Sequence, residues 1–175
     1  MVANLQYLQN LSSYLKVKIE KPRYNEDSLC TCIVNGKIIS GLSNIIAALL
    51  TESKSNLSGI TSLENAEIQQ WVEYGIVYVT HIYNNSQNLS LILKELNGIL
   101  SRKTYLVSHK LTIADVLLYY ILLNAMVSLP ILEKEKYINV SRWFDNLQQE
   151  NSLRQSKSFI NFSTNYLISV APARH

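Results

Sequence analysis

Residues Tyr105–Tyr120 read YLVSHKLTIADVLLYY, and the folding of this stretch sets the class of the whole chain. Thr112 and Asp115 stand three apart, directly ahead of an apolar run. At that spacing a hydroxyl at the helix cap and a carboxylate at the third helical position satisfy each other's backbone N–H groups. A carboxylate there also complements the positive end of the helix dipole. The residues that follow, Val116–Leu123, are apolar or tyrosine on every side. A helix of that kind is buried, so its N-terminus lies inside the protein, where unpaired amides are costly. The expected helix is Ile113–Val127. The apolar run Val116–Leu132 is broken by Asn124, Ser128 and Pro130 and falls short of the roughly 20 residues a membrane crossing needs. A central helix in a soluble bundle is the expectation, with no membrane partner.

The flanking sequence is helical as well. Thr61 and Glu64 form a second capping box, opening a helix expected to run to about Asn84. Further helices are expected over Leu89–Arg102, Glu133–Gln149 and Leu153–Tyr166. Before Thr61 the pattern changes. Leu5, Leu8, Leu11 and Leu15 keep helical spacing, and Lys21-Pro22-Arg23 ends that segment. Leu29–Val34 reads as a strand, Asn35-Gly36 as a tight hairpin turn and Lys37–Ser40 as the returning strand. A helix over Asn44–Leu50 follows, with Ser43 in position to cap it. Thr51–Gly59 (TESKSNLSG) is polar and aperiodic and reads as a linker. The division expected is residues 1–58 and residues 59–175.

Composition narrows the function. Sixteen Lys and Arg against thirteen Asp and Glu leave +3, too little and too scattered for phosphate neutralisation, so no direct nucleic-acid partner is expected. Eleven tyrosines against three phenylalanines favour half-wet positions and protein interfaces. Met1–Tyr14 lacks the basic and apolar regions of a secretion signal, so Cys30 and Cys32 are expected as reduced core residues on one face of a strand. C-x-C supplies two of the four ligands of a structural zinc, and nothing nearby completes it; no metal is expected. His81, His109 and His175 have no nucleophile or carboxylate at a recognisable catalytic spacing.

The Tyr105–Tyr120 stretch resembles the central helix of glutathione-transferase C-terminal domains. With QQWVEY (Gln69–Tyr74), LKEL (Leu93–Leu96) and EKEKYINVSRWF (Glu133–Phe144) at their spacings, the chain resembles the transferase-like auxiliary proteins of the aminoacyl-tRNA synthetase complex. The resemblance implies a mainly α fold: a glutathione-transferase C-terminal-like helical domain with a reduced thioredoxin-like α/β N-terminal portion. It also implies a scaffold role in protein biosynthesis, without catalysis or cofactor, beside methionyl-tRNA synthetase, glutamyl-prolyl-tRNA synthetase and other auxiliary proteins of the complex. Cytoplasmic residence is expected, with nuclear residence left open. Two other classes stay in view: a glutathione-dependent transferase, and an elongation or stress-signalling accessory factor.

Active transferases of that fold present a Tyr, Ser or Cys to the glutathione sulfur, expose backbone through a cis-proline and hold the γ-glutamyl end with a Glu/Gln-Ser pair. Here Tyr7 and Tyr14 fall on the leucine-spaced helix, no proline occurs between Tyr24 and Pro130, and Leu42 precedes Ser43. Faces left for partners can be sorted by helical period. Ile68, Trp71, Val72, Gly75, Val79 and Ile82 form the expected core stripe of the first long helix, which leaves Tyr74, Val77, Tyr78 and His81 outside it. The resemblance draws in Asn44, Ala47 and Ala48 as neighbours of that face. On the fourth helix Tyr137, Val140, Trp143, Phe144 and Leu147 face the core, and Arg142, Asn146 and Gln149 point away. Arg142 has two readings: an exposed pair with Asp145, or a guanidinium offered to a partner carboxylate. The resemblance favours the second.

Overall fold

The computed structural model describes residues 5–84 and 86–162. Helix α1 (Gln6–Leu15) buries Tyr7, Leu8, Leu11 and Leu15 and stops where Lys16 turns left-handed. Three antiparallel strands follow in the order β1 (Arg23–Tyr24), β2 (Cys30–Val34), β3 (Lys37–Ser40). Asn35 and Gly36 both take positive φ (47° and 81°), the conformation that joins tightly twisted strands in a two-residue turn. The turn aligns Val34 with Lys37 and Thr31 with Ser40. Cys30, Cys32 and Val34 alternate inward and are buried. Strand β1 has too few residues to show a period, and β2 pairs with it from eight residues away or less.

Helix α2 (Leu42–Ser53) begins earlier and ends later than expected. Its cap is Gly41, whose φ of 92° favours glycine, and Asn44 Nδ2 closes the first turn by donating to Ser40 O at 2.9 Å. Ser43 is therefore not the cap. Its hydroxyl donates to Glu73 Oε1 instead, joining α2 to the helix that follows.

That helix, α3 (Ser62–Val77), opens with the expected Thr61–Glu64 box. It stops at Val77, and Val79–Asn84 winds as a tighter 3₁₀ segment. Helices α4 (Ser86–Ile99) and α5 (Ile113–Ser128) come next. The single helix expected over Glu133–Gln149 is two, α6 (Ile131–Lys136) and α7 (Ile138–Gln148). The break at Tyr137 has a tertiary cause. Asn97 Oδ1 accepts from Asn139 N at 2.8 Å and Val140 N at 3.4 Å, capping α7 from the end of α4. The expected last helix also shrinks, to α8 (Asn151–Arg154). Beyond it the chain is non-helical to Phe162, because buried Gln148 exchanges two bonds with the Ile160 backbone, at 2.8 and 2.9 Å. The remainder of that expected helix, and His175, lie outside the described residues.

Helix α5 is the axis: α1 and α3 pack against it, and Ile113–Leu123 is buried without a gap. Gly75 lets α3 approach, since a Cβ there would meet Leu118 Cδ1 at 3.0 Å. No described helix is long and apolar enough to cross a membrane. The Asp115 carboxylate is fully buried at the start of α5. Its Oδ1 accepts from Leu106 N (2.9 Å) and Trp143 Nε1 (3.0 Å), and its Oδ2 accepts from Thr112 N (3.1 Å) and Thr112 Oγ1 (2.9 Å). Burial pushes this carboxyl above its ordinary range, and the four hydrogen bonds pull against that shift. Thr112→Ala is expected to cost about 0.5–2 kcal/mol. Asp115→Ala, which strands buried N–H groups of Leu106 and Trp143, should cost about 3 kcal/mol or more. Urea midpoints of both variants check the ranking.

Candidate docking surfaces

Two faces of the helical bundle are candidates for association. Of the expected core stripe, Ile68, Val72 and Gly75 on α3 and Val79 in the 3₁₀ segment are buried; Ile82 lies outside the described side chains. Trp71 is only half-buried, and its ring meets Tyr74 edge-on at 5.4 Å. Tyr74 in turn lies 5.5 Å from Tyr78. The Tyr74 hydroxyl donates to Glu95 Oε2 on α4 at 2.7 Å, and burial with that bond pushes its pKa up. Tyr74 is thus fixed in orientation. Val77 (51% exposed), Tyr78 (60%) and, on α4, Leu91 (66%) surround it with apolar surface open to water. The ridge of α3 and the facing side of α4, with Asn88 and Ile92, form a shallow groove. The contributions of Leu91 and Glu95 were not read from the sequence. Only the packing of α4 beside α3 brings them to this face.

Helix α2 extends the same side. Ser43 and Gln69 both donate to Glu73 Oε1, the latter at 3.2 Å, which ties α2 to α3. Asn44 and Ala47 are exposed and Ala48 is half-buried. The serine that the transferase pattern would assign to glutathione is thereby engaged within the protein. Cys30 offers no reactive thiolate either, since burial pushes its thiol up to about 11. No group of three His, Cys, Asp or Glu among the described residues is placed to hold a metal.

The second face, on α7, differs from the expected picture. Tyr137, Val140, Trp143, Phe144 and Leu147 are buried as expected, and Arg142, Asn146 and Gln149 are exposed. Arg142 nevertheless does not pair with Asp145, which accepts from Gln148 Nε2 (2.7 Å) and Gln149 Nε2 (3.3 Å). Arg142 Nη2 donates to Leu100 O (2.6 Å) and Lys103 O (3.0 Å), past the end of α4. A cation at that end satisfies orphan carbonyls and complements the dipole. The Nε–Nη1 edge of the fork has no partner among the described residues. Asn146 Nδ2 donates weakly to Tyr105 Oη at 3.4 Å. The reading of Arg142 as a partner of Asp145 is therefore corrected, and one edge of its guanidinium is committed to the fold.

Comparison with known proteins places the chain in a family. A family model described as "Nuclear-export cofactor Arc1p" matches residues 64–151. Eukaryotic translation elongation factor 1 epsilon-1 of Mus musculus is 42% identical over 134 residues, covering 76% of each chain. The chain belongs to the elongation factor 1 epsilon-1 family. This elongation factor 1 epsilon-type chain is also 28% identical over 117 residues to the bifunctional glutamate/proline–tRNA ligase of Mus musculus, a match covering 66% of the chain and 7% of the ligase. Among solved structures, Ure2p5 from Phanerochaete chrysosporium, cocrystallised with 1-(S-glutathionyl)-2,4-dinitrobenzene, superposes with a TM-score of 0.70. It shares 16% identity and each chain is covered to 89%. That likeness establishes the mainly α, glutathione-transferase fold and no activity.

The capping role of Arg142 has a measurable consequence. Arg142→Ala is expected to lower stability by about 1–2 kcal/mol, through lost charge-assisted bonds and dipole contact. Asn146→Ala should stay within about ±0.5 kcal/mol. Urea denaturation of the two variants distinguishes the roles.

Proposed function

We propose that this elongation factor 1 epsilon-type chain is a non-catalytic scaffold subunit of the multi-aminoacyl-tRNA synthetase complex, joining synthetases through their transferase-like domains. The observation that carries the proposal is the rigid aromatic patch of Tyr74, Tyr78, Val77 and Leu91, apolar and open on a helix pair whose core is already filled. Contiguous exposed apolar surface marks a binding site, and tyrosine held in one rotamer loses little entropy on docking. The likeness to a segment making up 7% of a glutamate/proline–tRNA ligase supports pairing between related modules. A subunit with two faces raises the effective concentration of its partners for each other, with no chemistry of its own.

In this proposal methionyl-tRNA synthetase docks on the α3 face, through Tyr74, Val77 and Tyr78. Glutamyl-prolyl-tRNA synthetase docks on the α7 face, through Asn146 and the unpaired edge of Arg142. The proposed setting is the cytoplasm, with nuclear residence left open. Tyr74→Ala combined with Val77→Asp should release methionyl-tRNA synthetase and retain the other synthetase. Arg142→Ala should weaken glutamyl-prolyl-tRNA synthetase by about 2–5 kcal/mol. Asn146→Arg, which leaves the α4 cap in place, should act in the same direction. Pull-down of both synthetases by each variant, after circular dichroism confirms folding, is the measurement. Loss of both partners from one variant would refute two separate faces.

The transferase reading makes the opposite prediction about ligand. With Ser43 bound to Glu73, millimolar glutathione should produce no rise in melting temperature, whereas a ligand of the folded state alone would raise it. A saturable rise would restore the enzyme reading.

A further inference from the structure

The groove between α3 and α4 carries a single charge. It has a volume of about 490 Å³ and is lined by Tyr74, Tyr78, Asn88, Leu91, Ile92 and Glu95. We infer, resting on the docking role proposed for the α3 face, that this groove receives an arginine side chain of the partner, with the guanidinium against the tyrosine rings and the Glu95 carboxylate.

Glu95 requires a cation from outside. It is exposed, and no cation of this chain pairs with it among the described residues. The Tyr74 hydroxyl donates to its Oε2 at 2.7 Å, and its Oε1 has no donor among the described residues. The bond to Tyr74 holds the carboxylate beside the aromatic patch. A partner that covers Tyr74, Val77 and Leu91 therefore removes Glu95 from water as well. A carboxylate stripped of water is costly unless a charged donor pairs with it, and no other residue of the lining is charged. The partner has to supply that donor.

The tyrosines decide which cation fits. The Tyr74 and Tyr78 rings lie 5.5 Å apart and are tilted by 40°, and an aromatic face attracts a cation. A guanidinium is planar and weakly hydrated, so it lies on a ring while its N–H groups reach a carboxylate. A lysine ammonium is compact and holds its water more strongly. Leu91 and Ile92 supply apolar wall for the hydrocarbon stem of the arginine.

The test titrates the full chain, by two-dimensional ¹⁵N NMR at constant ionic strength, with the acetylated and amidated tripeptide leucyl-arginyl-leucine. A second titration uses its neutral isostere, in which citrulline replaces arginine. The arginine peptide should give saturable shifts at the amides of Tyr78, Leu91 and Glu95. It should bind about threefold or more tighter than the citrulline peptide, within the range of a solvent-exposed charge pair. Glu95→Gln keeps an acceptor for the Tyr74 hydroxyl and should abolish that difference. Tyr78→Leu keeps the apolar surface and should weaken the arginine peptide about twofold or more. Equal binding of the two peptides, no saturable response at the groove, or a preference for arginine that survives both variants would each overturn the inference. Pull-down of methionyl-tRNA synthetase separates this outcome from the docking reading. Release by Tyr74→Ala with Val77→Asp, but full retention by Glu95→Gln, would keep the docking face and refute the arginine. An arginine preference that depends on Glu95, with the synthetase retained by both variants, would uphold the groove's chemistry and remove methionyl-tRNA synthetase from it.

Discussion

One carboxylate organises the helical bundle. Asp115 lies fully buried at the start of α5 and gathers donors from the 106 backbone, from its own helix cap and from the Trp143 indole on α7. A buried carboxylate is costly unless its oxygens are satisfied, and here each oxygen accepts two bonds. The same group that starts the central helix therefore also fixes the loop before it and the register of α7 behind it. Trp143, itself buried, stacks its ring edge against Phe144, and Phe144 meets Tyr119 of α5 at 4.5 Å. Polar and apolar contacts converge on one geometry, which is the condition for a single well-defined core.

From that fixed position of α7 a second constraint follows. Helices α4 and α7 cap each other: Asn97 closes the N-terminus of α7, and Arg142 closes the C-terminus of α4. Helix ends leave N–H and C=O groups that must find partners, and these two helices supply them reciprocally. The α7 face proposed for docking is thus built from a residue that also holds the fold, and its remaining donors are presented at a defined angle. The α3 face is stiffened in a comparable way by the Tyr74–Glu95 bond and by Ser43–Glu73.

The fold is that of the glutathione transferases, and the polar groups of its N-terminal portion are engaged within the protein. Ser43 ties two helices together, and Cys30 and Cys32 line a sheet interior where burial suppresses their ionisation. A fold of this kind hosts unrelated functions because the layers depend on the core, and the chemistry depends on a few side chains at their edges. What those edges offer here is apolar surface.

The sequence alone determined the features whose causes are local. The two capping boxes, the Asn35-Gly36 hairpin, the alternation of Cys30, Cys32 and Val34 and the all-round apolarity of α5 each depend on residues a few positions apart, so their spacing was legible. The aromatic face of α3 was legible for the same reason, since helical period alone places Tyr74, Val77 and Tyr78 off the core stripe. Tertiary structure decided the rest. The break at Tyr137 depends on Asn97, the end of the last helix on Gln148 bonding Ile160, and the role of Arg142 on carbonyls some forty residues earlier. Ser43 had a plausible local partner and took a distant one, Glu73, thirty residues on. A side chain's spacing in the chain reveals which neighbours it can reach along its own helix. Which unpaired backbone group or carboxylate another element brings within 3 Å is settled only when the core has packed.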